Sequence, residues 1–414
     1  MKASFRRSDR HMLRVALLLA AAVQPALAQT AAPTARMQGE GGLHVWERAD
    51  SVHVQWITSD SVAGTFQASS RSGKLHHATS TPPGFAHHTV FRKPRDGSLI
   101  LEYGGSSTHR TAIAAENREA AVTLPHSDSL YVIADTHGEF DSVMQLLRNA
   151  GLIDEATRWS GARKHIVFLG DVVDRGPDVT RLLWTLYRLE REAHAAGGGL
   201  HVLLGNHEIM VMLDDLRYVH ANEMQLATLH GTPYHRLLHP RESVLGRWLA
   251  TKPPLIKAGD LLLVHGGVSR EFAKHSPQQL ARMLSQHMRD DIFLAHLDTT
   301  LRITVDSTHL AAWQDFFWGE RSLFWNRSYL ESDTVAAELD HVLRQFGAAA
   351  MVVGHTPVEM IHARFDGRLI VAHPRQPAGE MLLIVGPARQ RRLYRLLPSG
   401  PPQPVPTLAT PAGG

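Results

Sequence analysis

The chain has 414 residues, of which 43% are hydrophobic and 20% are charged, a composition typical of a soluble globular protein. Its length exceeds one ordinary hydrophobic core, which favours two domains. It contains no cysteine, which excludes disulfide bonds, thiolate metal sites, a cysteine nucleophile and a lipid-attached cysteine.

The first 28 residues have the pattern of a secretory signal peptide. Basic residues flank an apolar run at 15–23, and Ala26-Leu27-Ala28 matches a small-residue cleavage site. A membrane anchor is the alternative, but the run is too short to span a bilayer. We therefore expect cleavage after about Ala28, a periplasmic or secreted protein, and no transmembrane segment in the mature chain. The remaining residues carry a net charge of −1, which gives no overall basic face for nucleic acid.

Residues 42–125 show the period-2 alternation of short β-strands. The pattern is clearest in runs such as 52–56 and 98–103, and glycine-containing turns separate the runs. We predict a small all-β domain here, a β-sandwich of the immunoglobulin-like or fibronectin-like kind. Residues 29–41 before it are predicted to be a flexible leader. Residues 42–125 contribute no candidate ligand, so we expect this domain to place the protein or to bind a partner.

From residue 126 onward the pattern changes to strands that alternate with helices, which predicts an α/β domain over 126–397. Helical spacing of apolar residues occurs at 140–150, 178–196, 276–295 and 334–346. An Asp-Gly pair at 366–367 predicts a β-hairpin. The Pro- and Gly-rich residues 398–414 are predicted to be a disordered tail.

Five apolar runs in this domain end in polar residues that can bind metal. The polar segments are Asp135-Thr136-His137, Gly170-Asp171, Gly205-Asn206-His207-Glu208, His265-Gly266 and Gly354-His355-Thr356. Any one of them alone is more often an ordinary turn, a helix cap or a structural histidine. The carboxyl ends of buried strands converge in α/β folds, so the five together predict one metal-centred hydrolytic site.

The residue types divide these ligands between two ions. Asp135 and His137 point the same way at period 2 and can bind one ion, while the Asp171 carboxylate can bridge to a second. An amide oxygen from Asn206 and imidazoles from His265 and His355 suit that second ion. Oxygen and imidazole ligands without sulfur favour Mn, Fe, Zn, Co or Ni and discriminate poorly among them. Two such ions roughly 3.5–4 Å apart acidify a bridging water and stabilise an in-line displacement.

These blocks resemble the calcineurin-like metallophosphoesterase superfamily, in particular its phosphoprotein phosphatase branch. The resemblance spans about residues 129–372 and implies a double β-sandwich flanked by helices, with a metal-bridging hydroxide that attacks phosphorus. It implies that one ion is held by Asp135, His137 and Asp171, and the other by Asp171, Asn206, His265 and His355. It also implies that His207, paired with Asp174, is the general acid and that Arg175 binds phosphate.

Two further segments refine the resemblance. The wider superfamily often has a second histidine at position 357, where this chain has Pro357, and this difference favours the phosphoprotein phosphatase branch. Trp325-Asn326-Arg327 resembles the Trp-Tyr-Arg element of the Shewanella-like bacterial phosphatases, with Asn326 in place of tyrosine. That likeness makes Arg327 a second phosphate-binding arginine; the alternative is an arginine on a solvated loop. The Ser-Ala-Pro-Asn-Tyr-Cys loop of the eukaryotic branch is absent, so its regulatory partners are not expected.

The sequence therefore predicts an exported phosphomonoesterase with two divalent or trivalent ions, manganese being the first choice. Its expected substrate is a phosphoprotein, carrying phosphate on Ser/Thr or on Tyr, or a small phosphoester. A symmetrical dinucleoside tetraphosphate hydrolase has similar motifs, although export disfavours a cytoplasmic nucleotide as substrate. The third hypothesis is a non-catalytic protein that binds metal or phosphate.

Overall fold

We describe the fold from a computed structural model, which places residues 32–95, 97–115, 120–125, 127–297, 301, 303–386 and 390–408. The predicted signal peptide lies outside these described residues, as do the last six residues of the predicted tail. None of the described helices is both long and apolar enough to cross a bilayer.

The strands are, in chain order, β1 His44–Arg48, β2 Ser51–Ser69, β3 Leu75–Arg92, β4 Leu99–Gly104, β5 Thr108–Ile113, β6 Thr123–Leu124, β7 Ser129–Ile133, β8 His165–Phe168, β9 Gly199–Val202, β10 Leu255–Ala258, β11 Leu261–Val264, β12 Ala350–Val353, β13 His362–Arg364, β14 Leu369–Val371, β15 Met381–Val385, β16 Arg392–Leu396 and β17 Gln403–Pro404.

The helices are α1 Phe140–Asn149, α2 Val179–Ala195, α3 Asn206–Met212, α4 Ala221–Leu229, α5 Tyr234–Leu237, α6 Val244–Leu249, α7 Pro277–His287, α8 Asp291–Leu297, α9 Ser307–Trp318, α10 Ser328–Glu331 and α11 Ala336–Phe346. The predicted helix over 276–295 is divided into α7 and α8. The hairpin predicted around the Asp-Gly pair is present as β13 and β14.

Two six-stranded sheets form the centre of the molecule, in the orders β13-β14-β12-β11-β10-β6 and β17-β16-β15-β7-β8-β9. Alternate residues of one strand serve two different cores. In β7, Leu130 and Val132 join the cluster between the two sheets, whereas Tyr131 and Ile133 join the cluster beneath the helices. Burial on both faces explains why these strands read as continuous apolar runs. The predicted α/β fold, a double β-sandwich flanked by helices, is confirmed.

The strand directions bring several carboxyl ends to one edge. β7, β8 and β9 are parallel neighbours in one sheet, and β11, β12 and β14 are parallel neighbours in the other. Helices α1 and α2 return the chain between the first three strands, as parallel pairing requires. The residues that follow these strands therefore lie close together in space.

Residues 44–113 form one antiparallel sheet of five strands in the described part of the chain, not the predicted two-sheet sandwich. β2 and β3 are long, with 19 and 18 residues, and β2 is the only described strand with which β3 pairs. The buried face of this sheet joins the same hydrophobic cluster as the helices of the α/β part. Alternation in sequence shows that one face of a strand is buried, but it does not show whether a sheet or a helix covers that face.

The chain from residue 32 to residue 43 is folded, which corrects the prediction of a flexible leader. It forms two short 3-10 helices, Ala35–Met37, which packs against β2, and Gly39–Gly42, which packs against α2. Arg36 pairs with Asp178, Met37 is buried, and the Trp184 indole nitrogen donates to the carbonyl oxygen of Leu43 at 2.9 Å. These long-range contacts hold a segment whose composition alone resembles a linker.

The described part of the predicted disordered tail, residues 398–408, also has a defined place. β17 pairs with the edge strand β16, and Thr407 bridges to Ala363. Proline has no N–H to donate, so it is compatible with a sheet edge even though it is rare inside a sheet. The Pro-rich composition therefore did not distinguish a disordered tail from an edge strand.

Two buried histidines, His44 in β1 and His230 just after α4, make the stability of the protein dependent on pH. His44 and His230 lie with ring centroids 5.9 Å apart. Burial lowers the pKa of His230 to about 3 and that of His44 well below its ordinary value. The unfolded chain therefore binds more protons below pH 6.5, and each histidine should reduce the free energy of unfolding by up to about 1.4 kcal/mol per pH unit as the pH falls.

We expect urea unfolding to have a lower midpoint at pH 5.5 than at pH 7.0, and the difference to shrink in a His230→Leu variant. An equal pH dependence in the two proteins would contradict the assignment.

Candidate metal centre

The candidate ligands lie shortly after the ends of five strands. Asp135 and His137 follow β7, Asp171 follows β8, Asn206 follows β9, and His265 and His355 follow β11 and β12. All six side chains are at most 5% exposed. Gly205, which precedes α3, is required by this crowding, because a Cβ there would lie 2.2 Å from Asp171 Oδ1.

The backbone around these ligands is strained. Six of the candidate site residues have left-handed backbone conformations, although none is glycine: Asp135 (φ 50°), His137 (φ 45°), Asp171 (φ 51°), Asp174 (φ 68°), Arg175 (φ 63°) and His355 (φ 62°). Such conformations cost on the order of 1–3 kcal/mol each and occur mainly at functional sites. They turn the chain sharply after β7, β8 and β12, so that successive side chains face the same space.

Asp171 is the centre of the cluster. Its Oδ2 lies 3.3 Å from Nε2 of His265, 3.8 Å from Nε2 of His207 and 4.0 Å from Nε2 of His137. Its Oδ1 accepts a hydrogen bond from the backbone N–H of His207 at 3.0 Å. One carboxylate oxygen therefore faces imidazoles from three different strand ends, which is the position expected of a bridging ligand.

Backbone carbonyls orient two of the imidazoles. Nδ1 of His137 lies 2.9 Å from the carbonyl oxygen of Val173, and Nδ1 of His265 lies 2.9 Å from that of Leu169. When Nδ1 donates to a carbonyl, the lone pair is on Nε2, and both Nε2 atoms face Asp171. Metal-binding histidines in proteins are commonly oriented in this way.

The remaining candidate ligands surround His265. Its Nε2 lies 2.9 Å from Oδ1 of Asn206 and 3.2 Å from Nδ1 of His355. The backbone N–H of His355 donates to Oδ2 of Asp135 at 3.0 Å, which links this group to the first one. The structure thus brings all six predicted ligands together.

His207, Asp174 and Arg175 lie beside this cluster. Nδ1 of His207 is 2.6 Å from Oδ2 of the buried Asp174. The Arg175 guanidinium reaches Nε2 of His137 at 2.9 Å and Nε2 of His207 at 3.1 Å. The acid dyad predicted from sequence is therefore in contact, and a guanidinium stands next to it.

The electrostatics distinguish His137 from His207. Burial lowers the pKa of His137 to about 3, so its imidazole is neutral and can bind an ion. Burial opposes protonation of His207 as well, but the nearby Asp171 and Asp174 carboxylates outweigh it and raise the pKa of His207 above its ordinary value. One histidine is thus suited to be a ligand and the other to carry a proton.

Arg327 lies near the second group of ligands. The Trp325 ring is 5.6 Å from the His355 ring, and Asn326 is buried, with its Oδ1 accepting from the backbone N–H of Ser328 at 3.1 Å. Burial lowers the pKa of His355 to about 2, and the charge of Arg327 contributes to that shift. The segment is therefore anchored within electrostatic reach of the site, and the phosphate-binding role of Arg327 stays a prediction.

Three residues of the site have roles that the sequence did not reveal. Glu208 is fully buried and accepts hydrogen bonds from the backbone N–H groups of Gly205 and of residues 171–173, so it ties β8 and β9 together at the site. Tyr218 is 45% exposed, and its ring lies 5.2 Å from that of His207. His373 is buried beside Asp135. A polar residue just past the apolar run 369–372 was the one available signal for His373.

The donor set fits metal ions. His137, Asp171 and the proposed acid His207 have nitrogen or oxygen atoms that all lie within 4.8 Å of one another, and so do Asp171, His265 and His355. Asp135 Oδ1 and His355 Nε2 are buried and have no hydrogen-bond partner among the described residues. Unpaired buried polar atoms are costly in a folded protein unless an ion or water satisfies them.

Comparisons with known proteins agree with this geometry. A family model described as "Calcineurin-like phosphoesterase" matches residues 129–359. Shewanella-like protein phosphatase 2 of Arabidopsis thaliana is 38% identical over 106 residues, covering 26% of this chain and 27% of that protein. Shewanella-like protein phosphatase 1 of Plasmodium berghei is 26% identical over 229 residues, covering 55% of this chain and 60% of that protein.

Among solved structures, a cold-active protein-tyrosine phosphatase of a psychrophilic Shewanella species superimposes with a TM-score of 0.65. It is 26% identical and covers 87% of this chain and 98% of that one. The likeness extends over most of both chains. By contrast, the matches to the two Shewanella-like phosphatases span less than two thirds of those proteins.

Proposed function

Since this chain belongs to the calcineurin-like phosphoesterase family, we propose that it is an exported phosphomonoesterase that uses two metal ions and acts on phosphoproteins. The observation that carries the proposal is Asp171, whose Oδ2 lies within 4.0 Å of three imidazoles, next to the paired His207 and Asp174. Relatives named as protein phosphatases support the substrate class.

The proposed ligands divide into two overlapping sets, Asp135, His137 and Asp171 for the first ion, and Asp171, Asn206, His265 and His355 for the second. When bound, divalent ions at such a site acidify water and neutralise phosphate oxygens. Manganese is the proposed native ion, and the oxygen and imidazole donors also suit Fe, Zn, Co or Ni.

The protein's own groups would then position the phosphate and supply the proton. Arg175, whose N–H groups contact Nε2 of His137 and of His207 in this structure, would turn them to two phosphate oxygens, whose spacing a planar guanidinium matches. Arg327 is the proposed second arginine. Asp171 and Asp174 raise the pKa of His207, which favours its protonated form, and its Nε2 proton would pass to the departing alkoxide or phenoxide oxygen once Arg175 has turned to the phosphate.

The experiment that tests the proposal is a phosphate-release assay on EDTA-stripped, manganese-reloaded protein. The panel contains phosphoserine, phosphothreonine and phosphotyrosine peptides, p-nitrophenyl phosphate and diadenosine tetraphosphate. We expect manganese-dependent release from at least one class of peptide. Preferred cleavage of the dinucleotide would support the tetraphosphate hydrolase instead, and metal binding without turnover of any substrate would support a non-catalytic role.

Export is a separate part of the proposal and rests on the first 28 residues alone. In a Gram-negative host, the mature protein is expected in the periplasmic fraction with a mass that corresponds to cleavage after about Ala28. Recovery of the uncleaved chain in the cytoplasm would contradict it.

Replacing Arg327 by lysine is expected to lower kcat/KM by about 10- to 100-fold. A charge-assisted hydrogen bond contributes roughly 1.5–3 kcal/mol, and lysine cannot reproduce the two-pronged contact. If the contact strengthens in the transition state, kcat should fall, and if it is uniform, only KM should rise. Arg321→Lys is the matched control, because Arg321 pairs with Glu338 on the surface. Unchanged kinetics in the Arg327 variant would place that side chain outside the site.

A further inference from the structure

A sixth strand end reaches the candidate metal centre. β14 is parallel to β12, and Ala372 and His373 continue the chain beyond it toward the same edge as His355. The backbone N–H of Ala372 donates to the carbonyl oxygen of Val353 at 2.8 Å, which holds this end of β14 beside the end of β12. His373 is only 2% exposed.

The His373 side chain faces Asp135. Its Nδ1 lies 3.1 Å from Oδ1 of Asp135, and its ring centroid is 6.5 Å from that of His137. Neither Nδ1 of His373 nor Oδ1 of Asp135 has a well-aligned hydrogen-bond partner among the described residues. The other oxygen of Asp135 already accepts from the backbone of His355. Two buried, unsatisfied atoms therefore face one another, and one of them belongs to a proposed ligand of the first ion.

We propose that His373 is a fourth protein ligand of the ion that Asp135, His137 and Asp171 hold. This inference rests on the proposed function, since it concerns the same two-ion site. With His373 the two ligand sets become equal in number. The first then has two carboxylates and two imidazoles, and the second has a carboxylate, an amide and two imidazoles.

An additional nitrogen ligand has a chemical consequence for the choice of ion. Imidazole binds Zn, Fe and Co in preference to hard ions such as Mg, which take oxygen ligands. A first site with two imidazoles should therefore retain borderline ions more strongly than a site with one. The alternative role for His373 is to orient Asp135 by a hydrogen bond without touching the ion.

The direct test is a crystal structure of the full chain soaked with Zn, with anomalous scattering used to locate the ions. If His373 is a ligand, Nδ1 should lie at about 2.0–2.1 Å from the ion that Asp135 and His137 bind. If Asp135 and His137 bind the ion while Nδ1 of His373 stays about 3 Å or more from it, at hydrogen-bonding distances rather than coordination distances, the proposal is overturned. This test uses the unaltered protein, so it does not depend on how a variant folds.

A second test uses the variant His373→Ala, with Zn and Co titrated into EDTA-stripped protein and bound ions counted by mass spectrometry. We expect one of the two ions to bind at least about tenfold more weakly, and the Co absorption spectrum to change, because the ion loses a nitrogen donor. An orienting residue would weaken binding but leave the Co spectrum unchanged. His230→Ala is the control, since His230 is a buried histidine that lies beside His44 and is not among the proposed ligands.

The two proposals fail in distinguishable ways. Unaltered protein that binds no ion would overturn the proposed function and this inference with it. Two tightly bound ions and an unchanged Co spectrum in a folded His373→Ala variant would overturn the inference alone.

Discussion

Replacing His207 by alanine is expected to slow hydrolysis of a phosphoserine peptide by about 10²–10⁴-fold, the usual contribution of a positioned general acid. The serine alkoxide is a poor leaving group and needs the proton. p-Nitrophenyl phosphate releases a stable anion and should lose far less. The geometry behind this expectation is the 2.6 Å contact between His207 Nδ1 and Asp174 Oδ2, which leaves Nε2 facing the site.

Asp174→Asn should show the same bias between substrates in a weaker form, because the amide removes one of the charges that raise the pKa of His207. Since the protonated form is the active one, kcat for the phosphoserine peptide should also begin to fall at a lower pH in this variant. Equal losses on both substrates in the His207 variant would instead favour a structural role for the ring.

Replacing Asp171 by asparagine is expected to abolish tight metal binding and to lower activity by about 10³-fold or more. An ion contributes several kcal/mol of charge stabilisation, and each 1.4 kcal/mol corresponds to about tenfold in rate. Asparagine keeps the shape of the side chain but loses the negative charge that two ions would share. Because Oδ2 faces three imidazoles, no other carboxylate of the site can replace it.

Ion counting and turnover should be measured on the same preparation of this variant. Asp141→Asn is the control, since Asp141 is an exposed residue in the first turn of α1. Replacing the buried carboxylate also changes the stability of the metal-free protein. Thermal unfolding of both proteins in EDTA measures that change, and so separates loss of the site from loss of the fold. Two bound ions with near-normal turnover in Asp171→Asn would contradict its bridging role.

The sequence predicted the location of the site because the chemistry is carried by local patterns. An apolar run that ends in glycine and then Asp, Asn or His specifies a buried strand and the side chain at its end. Packing of the two sheets then places Asp171, which follows β8, beside His265, which follows β11, although 94 positions separate them in the chain. Capping is local as well, because the Ser276 side chain accepts from the backbone N–H of Gln279, three residues further on, at the start of α7.

The features that the sequence did not reveal depend on long-range contacts. Nothing near Arg36 indicates Asp178, and the alternation in β2 does not tell whether a helix or a second sheet covers it. His373 follows an apolar run as the other candidate ligands do. Its direction toward Asp135 depends on the pairing of β14 with β12, which a single sequence does not specify.

The six left-handed backbone conformations at the site set stability against chemistry. Glycine adopts this conformation freely, so a change to glycine would relieve about 1–3 kcal/mol of backbone strain at Asp135, His137, Asp171, Asp174, Arg175 or His355. The same change would remove a proposed ligand, a member of the acid dyad or the proposed phosphate-binding guanidinium. Backbone relaxation and the proposed chemistry therefore make opposite demands on these six positions.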